Sequence, residues 1–171
     1  AELNTAAGLV RLGRSAAWVS RVPDNPLGKL VTNRVREIGV SDQFVQYAQD
    51  GRCGVYFLEF GAAPRASSIL YDRKDSSIAR ARRGMFDWPT ILEGAKWLHV
   101  SGITAALSPG AAEVVDEAMH AAREAGVKVC LDLNYRAKLW SREHAAQVMS
   151  LLLPLCDLLI ASEADAEHLF A

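Results

Sequence analysis

The densest run of hydrogen-bonding and charged side chains is Asp132-Leu133-Asn134-Tyr135-Arg136. Asp, Asn and Arg alternate there, so on extended backbone they would point to one side. An arginine such as Arg136 can hold a carboxylate or phosphate through two parallel N–H donors. Asn134 can both donate to and accept from a hydroxyl. The same residues equally suit a structural ion pair followed by a turn. A second group is Tyr56, Tyr71 and Arg73, which combine rings with polar tips and a cation. Such groups suit a hydroxylated, acidic small molecule; they also suit an exposed aromatic β-face or a subunit contact. Ser162-Glu163-Ala164-Asp165 reads first as a capping box with Asp in place of Glu, which needs no ligand. Asn4 is an ordinary polar residue in the first turns of a helix.

Other chemistries are poorly represented. His99, His120, His144 and His168 form no HxxxH or HExxH pattern. Neither GxxxxGK[ST] nor GxGxxG occurs, so no glycine-rich phosphate loop is visible. No Ser–His–Asp or Cys–His arrangement can be placed, and the three cysteines have neither CxxC nor metal-ligand spacing.

The elements that must position these residues alternate. Leu3–Leu12 reads as a helix followed by Gly13, Ala16–Val22 as a short strand, and Asn25-Pro26 as the cap and first position of a second helix closed by Gly39. Cys53–Phe60 and Ser67–Tyr71, joined by Gly61-Ala62-Ala63-Pro64, read as a hairpin that interrupts the alternation. From Trp97 the order is regular. There is a strand at 97–100, a helix capped by Ser108 and stopped by Gly126, and a strand at 127–133. A helix capped by Ser141, a strand at 155–161 and a helix from Ser162 follow. Strands that are apolar throughout and separated by helices imply a parallel sheet covered on both faces. Ligands of such sheets bind at the carboxyl ends of the strands. The loops at Ser101–Thr104, Asp132–Arg136 and Ser162–Asp165 therefore share one expected rim.

Composition sets limits. The chain has 171 residues, half of them hydrophobic, enough to bury a core. A formal net charge of −1 gives no global field for nucleic acid or an anionic membrane. Arg73, Lys74, Arg80, Arg82 and Arg83 cluster locally, which reads as a solvated loop. No apolar run approaches the ~20 residues of a bilayer span. The cysteine usage fits a reducing cytoplasm. The chain opens on Ala1-Glu2-Leu3 and closes on Phe170-Ala171, each inside a helix, and both ends of the sheet are expected to be incomplete.

Taken in order, Ala1-Glu2-Leu3-Asn4-Thr5-Ala6, Gly54-Val55-Tyr56-Phe57-Leu58-Glu59, Tyr71-Asp72-Arg73-Lys74, Leu98-His99-Val100-Ser101-Gly102-Ile103-Thr104, Asp132-Leu133-Asn134-Tyr135-Arg136 and Ser162-Glu163-Ala164-Asp165 resemble the ribokinase-like (phosphofructokinase-B type, PfkB) carbohydrate kinases. Within that family the pattern is most similar to the 2-keto-3-deoxygluconate kinases. The resemblance implies a three-layer α/β/α fold with a mostly parallel sheet and a small projecting β-sheet lid at about residues 42–75. It implies that Asn4 binds sugar hydroxyls, that Tyr56, Tyr71 and Arg73 close over a sugar acid, and that Ile103 adds a backbone or packing contact. By the same resemblance Arg136 reaches the substrate carboxylate or the phosphates, with Asp132 and Asn134 in support. Ser162 and Asp165 match the family's Asn-x-x-Glu motif, which organises magnesium and phosphate. ATP and Mg²⁺ are the implied cofactors, and a homo-oligomer formed through the lid is the implied assembly.

The chain departs from the family at several points: Ser162 and Asp165 are conservative replacements of the motif's Asn and Glu, and the Gly-Gly pair expected before Ala1-Glu2-Leu3-Asn4 is missing. Asp72 replaces a tyrosine of the family's Tyr-Tyr-Arg lid and is expected to face outward. The family's Gly-Ala-Gly-Asp motif, which carries the catalytic base and anion hole, does not occur. The expectation is a partial domain over 1–171 that lacks the nucleotide-binding half and does not turn over by itself. Fructokinases and other sugar kinases of the family, or a non-catalytic sugar-acid binding module, are the alternatives.

Overall fold

A computed structural model describes residues 1–170. The helices are α1 (Glu2–Arg11), α2 (Pro26–Glu37), α3 (Trp88–Leu92), α4 (Gly102–Ala105), α5 (Pro109–Glu124), α6 (Arg142–Leu152) and α7 (Glu163–Phe170). The strands are β1 (Ser20–Pro23), β2 (Val45–Ala48), β3 (Val55–Glu59), β4 (Ser68–Asp72), β5 (Trp97–Ser101), β6 (Lys128–Asp132) and β7 (Leu158–Ile160). β1 and β2 form a parallel pair, and β5, β6 and β7 form a parallel sheet in that order. β3 and β4 form the antiparallel hairpin.

Local chemistry sets the helix boundaries. Asn25 Oδ1 accepts from the amides of Leu27 at 3.0 Å and Gly28 at 3.1 Å, and Pro26, with no N–H to orphan, takes the first helical position. Ser108 caps α5 through the Ala111 amide at 3.0 Å, and Ser141 caps α6 through the His144 amide at 3.2 Å. Gly126, at φ +69°, lets the chain leave α5 in the left-handed region that other residues avoid.

The main core lies around β6. Val129 and Leu131 are fully buried, as are Met119 and Ala122 of α5 and Met149 and Leu152 of α6. A smaller cluster joins Ala6 of α1, Val35 of α2 and Val40. Not every apolar strand is covered among the described residues. Leu158, Leu159 and Ile160 of β7 are 47%, 43% and 48% exposed.

The lid boundary expected at about residue 42 moves. Residues 45–48 are β2, hydrogen-bonded to β1 in the body, because β2 is buried at both ends. The projecting sheet is the β3–β4 pair alone, and every residue of both strands is exposed.

Candidate functional site

The strand ends are brought level by the register of the sheet. Ser101 pairs with Asp132, and Asp132 pairs with Ile160, so the three loops that follow β5, β6 and β7 leave from one edge. The Leu133 amide donates to Ile160 O at 2.9 Å and keeps the second and third loops together. The first and second approach more closely still. A Cβ on Gly102 would stand 2.1 Å from Leu133 O, so only glycine fits there. Ser101 then caps the short α4 by accepting from the Ile103 amide at 3.3 Å.

Asp132 and Asn134 do not lie along an extended segment with Arg136. Asn134 takes φ +42°, a conformation asparagine tolerates better than most residues. Its amide turns inward and donates to Asp132 Oδ2 at 3.1 Å and to Ser101 Oγ at 3.4 Å. Asp132 and Asn134 thus brace the loops, and the alternation read from the sequence is broken at Asn134. Arg136 is carried onward to a turn closed by the Leu139 amide on Arg136 O at 2.8 Å.

The lid hangs from a ladder at its root. Arg52 and Ser76 form an isolated parallel bridge, and the Ser77 amide donates to Arg52 O at 2.9 Å. The Arg52 guanidinium holds Asp72 with two donors and Lys74 O with a third. Asp72 is thereby committed to Arg52. Alternation along β4 puts it on the opposite face from Tyr71. Tyr56 and Tyr71 are register partners with ring centroids 6.2 Å apart.

Between lid and rim lie two adjoining cavities of about 370 and 360 Å³. Ile69, Tyr71, Arg73 and Lys138 line both, and Arg136 joins the second. The Arg73 guanidinium sits 4.3 Å from the Tyr71 ring centroid. Burial pulls its pKa down from the usual arginine value; the Tyr71 phenol opposes that shift and the nearby charge of Arg136 adds to it. No Asp or Glu lines either cavity. The cleft therefore offers cations and an aromatic face, which favour an anion with an apolar or hydroxylated body.

The expected residues distribute as follows. Tyr71, Arg73 and Arg136 meet at the cleft, and Tyr56 stands beside Tyr71 on the lid. Asn4, Ile103, Ser162 and Asp165 are not among the residues that line it. Asn4 is exposed on α1, whose start is fixed to the rim by Glu2; its carboxylate accepts from the Ser101 amide and the Thr104 hydroxyl. Ile103 is half-buried in α4. Ser162 accepts from the Asp165 amide at 3.0 Å, which is the capping arrangement, and leaves the Asp165 carboxylate available. The basic cluster divides: Arg80 and Arg83 face Asp50 and Asp116, while Arg73 and Lys74 line the cleft. In sequence Lys74 reads as part of a solvated basic loop, and Lys138 is not singled out. The signal for Lys138 was its place two residues beyond Arg136.

The fold is thus a parallel α/β body with strand ends level on one edge and a projecting hairpin beside an open cationic cleft. The chain belongs to the pfkB family of carbohydrate kinases, whose model matches residues 1–171. It is 43% identical over 165 residues to the 2-dehydro-3-deoxygalactonokinase of Haloferax volcanii, covering 96% of this chain and 51% of that protein. It is 31% identical to the 5-dehydro-2-deoxygluconokinase of Bacillus subtilis, covering 95% of this chain and 50% of that protein. Among solved structures, the 2-dehydro-3-deoxygluconokinase of Thermotoga maritima superposes with a TM-score of 0.93 at 43% identity, over 98% of this chain and 51% of that one. The chain thus spans about half the length of the relatives it matches.

Proposed function

We propose that this chain forms the sugar-binding part of an ATP-dependent kinase that phosphorylates 2-keto-3-deoxygluconate (2-dehydro-3-deoxygluconate) at its 6-hydroxyl. The observation that carries the reading is the cleft itself: Arg73 from the lid and Arg136 from the rim converge there with no acidic residue among its lining. A sugar acid supplies the missing negative charge. Arg73 and Arg136 hold its carboxylate and Tyr56 and Tyr71 cover its carbon chain; Asn4 and Ile103 lie outside the cleft lining, and their contacts with the sugar rest on the family resemblance alone. Asp132 and Asn134 hold Arg136's loop in place through Ser101. The Haloferax volcanii, Bacillus subtilis and Thermotoga maritima relatives are named as kinases of deoxy keto aldonic acids, which supports an acidic substrate.

Phosphoryl transfer needs positioning and charge stabilisation more than covalent help from the protein. The lid serves both by excluding water from the reacting hydroxyl. ATP is the donor, and bound Mg²⁺ would neutralise charge on its phosphates. Among the described residues no three His, Cys, Asp or Glu side chains are grouped so as to hold a metal. Mg²⁺ commonly reaches a protein through only one or two carboxylates plus the phosphates. Asp165, with its carboxylate unengaged beside the Ser162 cap, fits that arrangement.

The lid also supports self-association. Phe57 and Leu70 are register partners, and they are 61% and 67% exposed. A lone two-stranded hairpin is marginal in water. The lid of a second copy would bury this apolar surface. No described helix is long and apolar enough to cross a membrane, and the free thiols of Cys53, Cys130 and Cys156 fit a cytoplasmic setting.

The test is a coupled kinase assay on the full-length protein with 2-keto-3-deoxygluconate, its C4 epimer 2-keto-3-deoxygalactonate, fructose, ribose and adenosine. The expected result is the highest kcat/KM for 2-keto-3-deoxygluconate. The Haloferax relative favours one second reading, the C4 epimer. Faster turnover of a neutral sugar or of adenosine would refute the acidic substrate.

A further inference from the structure

Beyond Arg73 and Arg136, two lysines face the same cleft: Lys74 lines one of its cavities and Lys138 lines both. Lys138 lies in the turn that the Leu139 amide closes on Arg136 O, so Arg136 and Lys138 are presented by one turn. Lys138 lines both cavities with Ile69, Tyr71 and Arg73. Its ammonium is 5.9 Å from the Tyr71 ring centroid, so a rim cation stands at the outer edge of cation–π range of the lid ring that also carries Arg73. Arg21, Arg36, Arg52, Arg65, Arg80, Arg83 and Arg123 each meet a carboxylate. Among the described residues, Arg73, Arg136 and Lys138 form no ion pair with any carboxylate. Four like charges at one cleft repel each other, and an anion bound between them relieves that repulsion.

We infer that Lys138 is a specificity-determining residue, which favours anionic over neutral sugars by holding positive charge over the cleft from the rim while it meets Tyr71 of the lid. The inference rests on the sugar-acid reading above and extends it to a residue with no role there. Arginine can keep the charge and the ring contact at this position, whereas methionine keeps the length and loses the charge.

The experiment compares wild type, Lys138→Met and Lys138→Arg in the full-length protein. kcat/KM is measured for 2-keto-3-deoxygluconate and for fructose, at low and high ionic strength. Loss of a charged contact to substrate corresponds to about tenfold. Lys138→Met is expected to lower the acid-to-neutral ratio about tenfold, mainly through KM for the acid. It should also flatten the salt dependence of that KM. Lys138→Arg should retain most of the ratio. An unchanged ratio in Lys138→Met overturns the role of Lys138 and leaves the sugar-acid reading standing. Equal losses for acid and neutral sugars overturn it as well, because they mark a purely structural role. A wild-type protein with no preference for the acid overturns both.

Discussion

Arg52 holds Asp72 through two guanidinium donors, and this pair ties the segment leading into the first strand of the lid to the last residue of the second. The pair is exposed, so screening by water keeps its contribution to global stability small, in the range of about 0.2–1 kcal/mol. Its effect is local. It fixes where β4 delivers Tyr71 and Arg73 to the cleft. Asp72→Asn is therefore expected to leave the melting temperature nearly unchanged while lid amides between 55 and 72 exchange faster with solvent. Hydrogen exchange read by mass spectrometry checks this. Unaltered lid exchange would show that the hairpin is held by other contacts.

Ser162 caps α7, and the family resemblance implies a role in phosphate organisation for the same hydroxyl. The two roles separate by substitution. Loss of a cap costs about 1 kcal/mol, whereas Asn or Asp restores it. Ser162→Ala should destabilise by about that amount in urea titrations. Ser162→Asn should recover the stability and, by matching the family's motif, retain turnover of the full-length protein. Full stability in Ser162→Ala would remove the capping role.

Gly102 permits the β5–α4 turn to lie against the β6 loop. Adding one methyl group places it 2.1 Å from the Leu133 carbonyl oxygen, and backbone on both sides must move. Gly102→Ala is expected to destabilise the fold by about 1–3 kcal/mol, the range of overpacked sites. It should also weaken substrate binding, since Ser101, Asp132 and Asn134 meet at that approach. Denaturant unfolding and KM measured on the same variant check both parts. A neutral effect on stability would show that the loops have room to separate.

His99 is half-buried between Thr5, whose hydroxyl is 3.2 Å from Nε2, and Cys130, whose sulfur is 3.3 Å from Nδ1. Burial lowers its pKa below the ordinary 6.5, with Glu2 and Asp132 opposing the shift. The unfolded chain therefore takes up a proton at His99 at a higher pH than the folded chain does. Stability from this residue is complete above pH 6.5 and declines as the pH falls below it, until the folded ring also protonates. His99→Gln should flatten the pH dependence of unfolding just below 6.5. A wild-type slope retained in the variant would assign that dependence to other groups.

Much of the architecture follows from short-range physics. Asn25-Pro26, Ser108-Pro109 and Ser141 announce helix starts because their side chains satisfy backbone amides two or three residues away. Gly126 announces a stop because its backbone reaches φ values closed to residues with a Cβ. The parallel strands are legible as apolar runs, and the hairpin by its aromatic strands around a Gly–Pro loop. The shared rim follows from these alone, because strands of a parallel sheet end on the same side.

Tertiary structure decided what the rim loops actually do. Asn134 bonds back to Asp132 and Ser101 rather than pointing outward, because Gly102 lets two loops approach within the reach of one amide. The basic run from Arg73 to Arg83 divides between paired surface charges and cleft-lining ones according to which acids fold against it. Lys138 becomes a partner of Tyr71 only when the lid is set against the β6 turn. Caps, turns and strand patterns act over a few neighbouring residues, so sequence determines them. A binding cleft is a meeting of distant segments, fixed by long-range packing that no local pattern records.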